Sequence, residues 1–288
     1  MLLIFSLAFL LLAQGRTGID FSIPLSSSTL QSYLPTPKTQ KNFLIAHAQF
    51  FNNTFNTPIV NTLKTAWRLG VADISVYFYP CLPDAPYAMG TLASSNISVC
   101  SNPYTQLDTF LNTLSLHGMD FFDTSVYDMA IYADMLNDVY AFPSVWNTTN
   151  PKVLLSTLYV NVEDITPNQF FSTNHTENIV FLQNFVTYAR SLGIDVGIYT
   201  TVLDYVNIMT HTHTQHTRTY TYPTSQGMTY TNPLASTKLW TPRYDQQNDF
   251  SFYTSFANWT APHVKQITGG AKDMRRVGNA RVCLDYKV

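Results

Sequence analysis

The run Leu158-Tyr159-Val160-Asn161-Val162-Glu163-Asp164 reads as an apolar strand that delivers a carboxylate at its C-terminal end. Period-2 geometry sends Tyr159, Asn161 and Glu163 to one face and Val160, Val162 and Asp164 to the other. Barrel enzymes keep their reactive groups at such strand ends, which makes Glu163 a candidate for acid–base chemistry. By itself a Glu closing a β-run is a solvated or salt-bridged strand end. Two further carboxylates follow or close apolar runs. Asp20, after Thr17-Gly18-Ile19, would ordinarily be a helix N-cap or turn residue. Asp285, near the chain end, would ordinarily be a solvated surface group. Tyr77, Tyr79, Tyr199, Trp240 and Tyr244 could line a ligand groove by stacking, and inward-facing strand aromatics are equally core. Lys265-Gln266 reads as structural rather than catalytic.

His211-x-His213-x-x-His216 is the one concentrated histidine cluster. It lies in a Thr-rich stretch without a nearby Asp, Glu or Cys to complete a metal site, so no metal and no cofactor are expected. No Gly-rich phosphate loop, Ser-hydrolase elbow or zinc-protease helix is present.

Composition narrows the classes. Charged residues make up only 12% of the chain, about half the usual share, and the net charge is −2. Nothing here attracts nucleic acid or an anionic membrane by electrostatics. Residues 1–15 form a short apolar core followed by Ala13 and Gly15, the pattern of a secretory signal, and fall short of the roughly 20 apolar residues that span a bilayer. The expectation is a secreted protein, or one delivered to a lysosomal or phagosomal lumen, with no membrane contact after signal cleavage. Asn-x-Ser/Thr sequons at Asn52, Asn96, Asn147, Asn174 and Asn258 agree with passage through the secretory pathway. Of the three cysteines, Cys81 and Cys100 are close in sequence and flank a Pro-rich loop, so they are the expected disulfide; Cys283 is left free or pairs between chains.

These groups need elements to hold them. The 45% hydrophobic content supports a sizeable core in about 270 residues, as one barrel or sandwich or two small domains. Strands are expected over 17–23, 41–51, 71–79, 154–162, 194–200 and 238–244. Helices are expected over 26–33, 59–69, 106–116, 177–192 and 203–209, with Gly70 and Gly193 as stops. Further runs at 263–267 and 281–286 follow. Strand and helix alternate, the pattern of parallel β/α architecture. Two stretches read as insertions, about 101–150 and 210–237.

Taken in order, several segments resemble the glycoside hydrolase family 25 lysozymes, in particular their amoeba and nematode branch. They are Gly18-Ile19-Asp20-Phe21-Ser22, Ala66-Trp67-Arg68-Leu69-Gly70, Val76-Tyr77-Phe78-Tyr79-Pro80-Cys81 and the Tyr159–Glu163 strand. Gly193 to Thr200, Leu239-Trp240-Thr241-Pro242-Arg243-Tyr244, Asn258 to Gln266 and Asp285 complete them. The resemblance implies a single-domain, irregular (β/α) TIM-like barrel over 16–288 with two insertions. It implies cleavage of bacterial cell-wall polysaccharide between N-acetylmuramic acid and N-acetylglucosamine. The family's site has an Asp after the first strand, an Asp-x-Glu on a central strand and a further Asp near the C-terminus. Here these positions are Asp20, Asn161 with Glu163, and Asp285. Glycoside cleavage needs an acid on the leaving oxygen and a group that stabilises the developing cation. Glu163 would be the acid, its pKa raised by desolvation. In the family, the Asp of the Asp-x-Glu pair orients the substrate's acetamido group. Asn161 keeps its shape and an acceptor oxygen but not its charge. Catalysis could be impaired, and a non-catalytic, lectin-like descendant binding amino-sugar polymers is the alternative. The family branch often has a cysteine after the first helix; Thr29 to Tyr33 contains none, which leaves Cys283 without an evident partner.

Overall fold

Parallel strands make most of the barrel. The computed structural model describes residues 16–33, 42–50, 54–71, 73–82, 85, 100–122, 152–163, 170–209, 234–251, 253–268, 275–277 and 280–287. The expected signal peptide, Asn52, Asn96, Asn147, Asp164, the His211/His213/His216 cluster and most of both expected insertions lie outside these residues.

The strands are β1 (Arg16–Phe21), β2 (Phe43–Gln49), β3 (Asp73–Phe78), β4 (Met119–Phe121), β5 (Val153–Leu155), β6 (Leu158–Asn161), β7 (Val196–Tyr199), β8 (Lys238–Pro242), β9 (Val264–Gln266), β10 (Arg275–Val277) and β11 (Ala280–Lys287). The helices are α1 (Ser27–Tyr33), α2 (Val60–Arg68), α3 (Pro103–Leu116), α4 (His175–Ser191) and α5 (Val202–Met209). The order β1-β2-β3-β6-β7-β8-β9-β11 closes through β1–β11 pairing into an eight-stranded barrel in one mixed α/β domain. Neighbours from β1 to β9 run parallel, while β11 is antiparallel to both β9 and β1. The pair β4–β5 is a separate two-stranded sheet, and β10 forms an antiparallel ladder with β11.

The run expected as one strand over 154–162 is two. Ser156 donates to Asp73 at 2.7 Å, and Thr157 donates to Asp195 at 2.8 Å. These bonds to the starts of the neighbouring barrel strands turn the chain between β5 and β6, so β5 pairs with β4 instead. Within the first expected insertion, α3 buries Leu107, Phe110 and Leu114 in the outer core, where Phe110 stacks on Phe78 of β3 at 5.6 Å. Gly193, read as the stop of α4, takes the left-handed backbone (φ 76°) that a glycine adopts without steric cost.

Alternation sorts each strand into two cores. On β6 and just after it, Leu158, Val160 and Val162 join the outer core beneath the helices, while Tyr159 enters the lumen with Phe43, Ile45, Tyr77, Tyr199, Trp240 and Val264. At the lumen's base Asp73 accepts from Arg16 at 2.8 Å and from Lys287 at 2.7 Å, and Asp195 pairs with Lys238. The buried Asp73 carboxyl is thereby held far below the usual carboxylate range, the two cations outweighing its burial. Above this layer the Tyr159 ring lies against Gly197, where an added Cβ would stand 2.4 Å from Tyr159 Cε1. Gly197→Ala is therefore expected to displace the ring and cost about 1–3 kcal/mol, read as a lower midpoint in denaturant unfolding. An unchanged midpoint would show that the lumen is looser than this packing.

Candidate active site

The C-terminal ends of the parallel strands bring together the side chains singled out in the sequence. β1 supplies Asp20, β6 Asn161 with Glu163 just beyond it, β3 Tyr77 and then Tyr79, β7 Tyr199, β8 Trp240 and then Tyr244, and β9 Gln266. Because β11 runs antiparallel, Cys283 lies opposite Asp20 and Asp285 lies opposite Gly18.

Glu163 is partly buried. Its Oε2 accepts from Asn161 Nδ2 at 2.8 Å and from the Tyr79 hydroxyl at 3.3 Å. Burial, the largest influence, raises its carboxyl above the ordinary value, and the negative charge of Asp204 adds to this; the bonds from Asn161 and Tyr79 pull the other way. A carboxyl held on its strand end with a raised pKa can deliver a proton in mildly acidic solution. Asn161 is 2% exposed, and its Oδ1 is sealed from solvent with no donor among the described residues.

Asp20 and Asp285 form the second group. Gln266 Nε2 donates to Asp20 at 2.7 Å, and the indole of Trp240 donates to Asp285 at 3.1 Å. Gln266 is held in turn by the hydroxyls of Tyr199 at 2.9 Å and Tyr244 at 3.2 Å, both donating to its Oε1. The two carboxyls share one buried environment. Burial, then the charge of Asp20, pushes Asp285 far above the carboxylate range. Asp20 is raised to about 6 by burial, against the opposing bonds from Gln266, Asp285 and Cys283. Burial thus raises both carboxyls, and the pair takes up a proton more readily than two free carboxyls would. Asp285 itself is 0% exposed.

Between the two groups stand Tyr77, Tyr79, Tyr199 and Tyr244. All four phenols are raised, first by burial and then by the fields of Glu163 and Asp20, so they remain protonated donors. The five aromatics singled out in the sequence divide by depth. Trp240 is 1% exposed and meets Tyr77, Tyr159 and Tyr199 edge-on at 5.5, 5.3 and 4.4 Å, forming a floor beneath the site. Tyr79 and the 47% exposed Tyr244 stand at the rim.

Two side chains were not singled out for this site. His47, buried at the end of β2, stacks on Tyr77; its signal was the alternation Phe43, Ile45, His47 along a strand. Gln266 was read with Lys265 as structural. That reading fits Lys265, whose ammonium donates to Asp245 Oδ2 at 2.9 Å and to the carbonyls of Gln247 and Asp249 at 3.0 and 2.9 Å. Gln266, on the other face of β9, belongs to the site.

The expected disulfide Cys81–Cys100 is present. The wholly buried Gln106 of α3 grips it, accepting from the Cys81 N–H at 3.1 Å and donating to the carbonyls of Cys81 and Ser101. Cys283 is free and buried. Among the described residues no group of three or more His, Cys, Asp or Glu side chains is placed to hold a metal ion, and no helix is long and apolar enough to cross a membrane.

Comparison with known proteins adds an independent finding. Residues 122–267 match the family model described as lysozyme-like protein 1. The chain is 22% identical over 252 residues to lysozyme-like protein 5 of Caenorhabditis elegans, covering 88% of this chain and 83% of that protein. It is 23% identical over 274 residues to the probable GH family 25 lysozyme 5 of Dictyostelium discoideum, covering 94% of this chain and 89% of that one. No solved structure matches the chain significantly.

Proposed function

The chain belongs to the lysozyme-like protein 1 family, and from that premise we propose that it is a secreted muramidase acting on bacterial peptidoglycan. On this reading the eight-stranded barrel is an irregular (β/α) TIM-like barrel that presents its site at the C-terminal strand ends. The observation that carries the proposal is Glu163: a partly buried carboxyl, raised by desolvation, held by Asn161 and Tyr79 at the mouth of the barrel.

Glu163 protonates the glycosidic oxygen as its bond to the anomeric carbon breaks. Asn161 holds Glu163 in place through its Nδ2, while its sealed Oδ1 has no donor among the described residues. Asp20 contributes negative potential from beneath as pH rises through its raised value of about 6. Tyr79 and Tyr244 offer sugar-stacking faces at the rim.

The test is loss of turbidity from a peptidoglycan suspension between pH 4 and 7, together with the appearance of reducing ends. Binding to the suspension without either signal would replace the muramidase reading by that of an amino-sugar-binding protein.

Passage through the secretory pathway carries its own expectation. Asn258 is exposed at a tight turn, whereas the Asn174 side chain caps α4, accepting from Thr176 N–H at 3.1 Å and donating to Glu177 at 2.9 Å. Of these two sequons, Asn258 should carry glycan and Asn174 should not. Peptide mass spectrometry after enzymatic deglycosylation in heavy-oxygen water reads this directly, and a label on Asn174 alone would reverse it.

A further inference from the structure

His47 closes the lumen face of β2, one layer above Ile45. Its ring lies flat on Tyr77, centroids 4.5 Å and planes 9° apart, and meets the rings of Phe50 and Tyr79 edge-on at 4.6 and 5.0 Å. Its Nε2 lies 3.1 Å from the carbonyl oxygen of Gln49. A carbonyl oxygen only accepts, so Nε2 carries the hydrogen and Nδ1 carries the lone pair. No described residue donates to Nδ1. The stack on Tyr77 would be served equally by a phenyl ring. What the imidazole adds is one acceptor in a fixed direction, next to the tyrosine that touches Glu163.

We propose that His47 is a glycan-binding residue, its Nδ1 accepting a hydrogen bond from an amide N–H or hydroxyl of the sugar held against Tyr79. This rests on the muramidase reading and assigns one contact of that site. Such a contact requires a neutral ring, and burial lowers the imidazole to about 4, with the Gln49 carbonyl only partly opposing. The titratable groups around it are the phenols of Tyr77 and Tyr79 on β3, Glu163 beyond Tyr79, and Asp20 on β1, whose partner in register is Ile45. The ring is therefore an acceptor at pH 5 and above. It loses that capacity as pH falls through about 4, when Nδ1 takes a proton.

The experiment measures kcat and KM for a soluble N-acetylglucosaminyl–N-acetylmuramyl tetrasaccharide from pH 3 to 7, for wild type, His47→Phe and His47→Gln. At pH 5 to 6, His47→Phe should raise KM roughly five- to tenfold with kcat within about twofold of wild type. His47→Gln, which keeps an acceptor oxygen, should recover part of the loss. Below pH 4 the wild-type KM should climb towards that of the Phe variant, which has no such limb. Thermal melts of both variants separate this from misfolding, because a structural role would lower the melting temperature and leave no pH-dependent KM difference. An active wild type matched by His47→Phe in KM, or a loss confined to kcat, overturns this assignment alone. A wild type that neither cleaves nor binds the tetrasaccharide by calorimetry overturns the muramidase reading, and this assignment falls with it.

Discussion

Glu163→Gln should abolish peptidoglycan clearing, lowering kcat/KM about 10³-fold at pH 5 while leaving binding to the polymer intact. The amide keeps the size of the carboxyl, and its oxygen can still accept from Asn161 Nδ2 and the Tyr79 hydroxyl, the two bonds that hold Glu163 in place. What the substitution removes is the transferable proton. Among the described neighbours none is placed to supply one: Asp285 is wholly enclosed, Asp20 is 7% exposed and tied to Gln266, and the surrounding phenols are all raised. The pH profile adds a second readout. Burial raises the Glu163 carboxyl, so the protonated, active form persists above the ordinary carboxylate range. Wild-type activity should fall as pH rises through that shifted value, whereas the small residual activity of the variant should lack this limb. Clearing by the variant at wild-type rates would remove Glu163 from the chemistry.

Much of the barrel was legible because its strands and helices alternate with distinct periods. The alternation along β6 separated two faces, and the barrel shows which is which: Tyr159 lies in the lumen while Leu158, Val160 and Val162 lie under the helices. The break before it was not legible. Ser156 and Thr157 continue the pattern of the run, and only their bonds to Asp73 and Asp195 on neighbouring strands force the turn. The reversed direction of β11 was equally hidden, since a short strand reads alike in either sense and only the ladders to β1 and β9 fix it.

The site divides in the same way. Asn161 and Glu163 are two residues apart on one strand, so period 2 places them together, and their 2.8 Å hydrogen bond is the local consequence. Asp20 and Asp285 come from opposite ends of the chain, and nothing local to either shows that closing the barrel buries them as a pair. Gln266 illustrates the other limit. Beside a structural lysine it reads as structural, until the pleat sends the two side chains to opposite faces of β9.

Asn161→Asp should accelerate clearing, on the order of 10²-fold in kcat, because it returns negative charge to the place where positive charge develops. The present amide acts on Glu163 in a way the sequence could not show. By donating at 2.8 Å it favours the ionised acid and draws its pKa down, against the burial that raises it. A carboxylate at this position removes that donor and adds like-charge repulsion, so Glu163 should hold its proton to higher pH and the alkaline limb of the profile should move upward. Against this stands desolvation. At 2% exposure a new charge is costly, so the variant should also melt at a lower temperature. The two effects separate in measurement: kcat and the pH limb report the chemistry, and the melting temperature reports the burial. A faster, less stable enzyme with a raised limb would show that Asn161 trades rate for stability. A rate at or below wild type in a protein that still folds would mean that the buried carboxyl has stayed protonated, and that the neutral amide is the group to which this site is adapted.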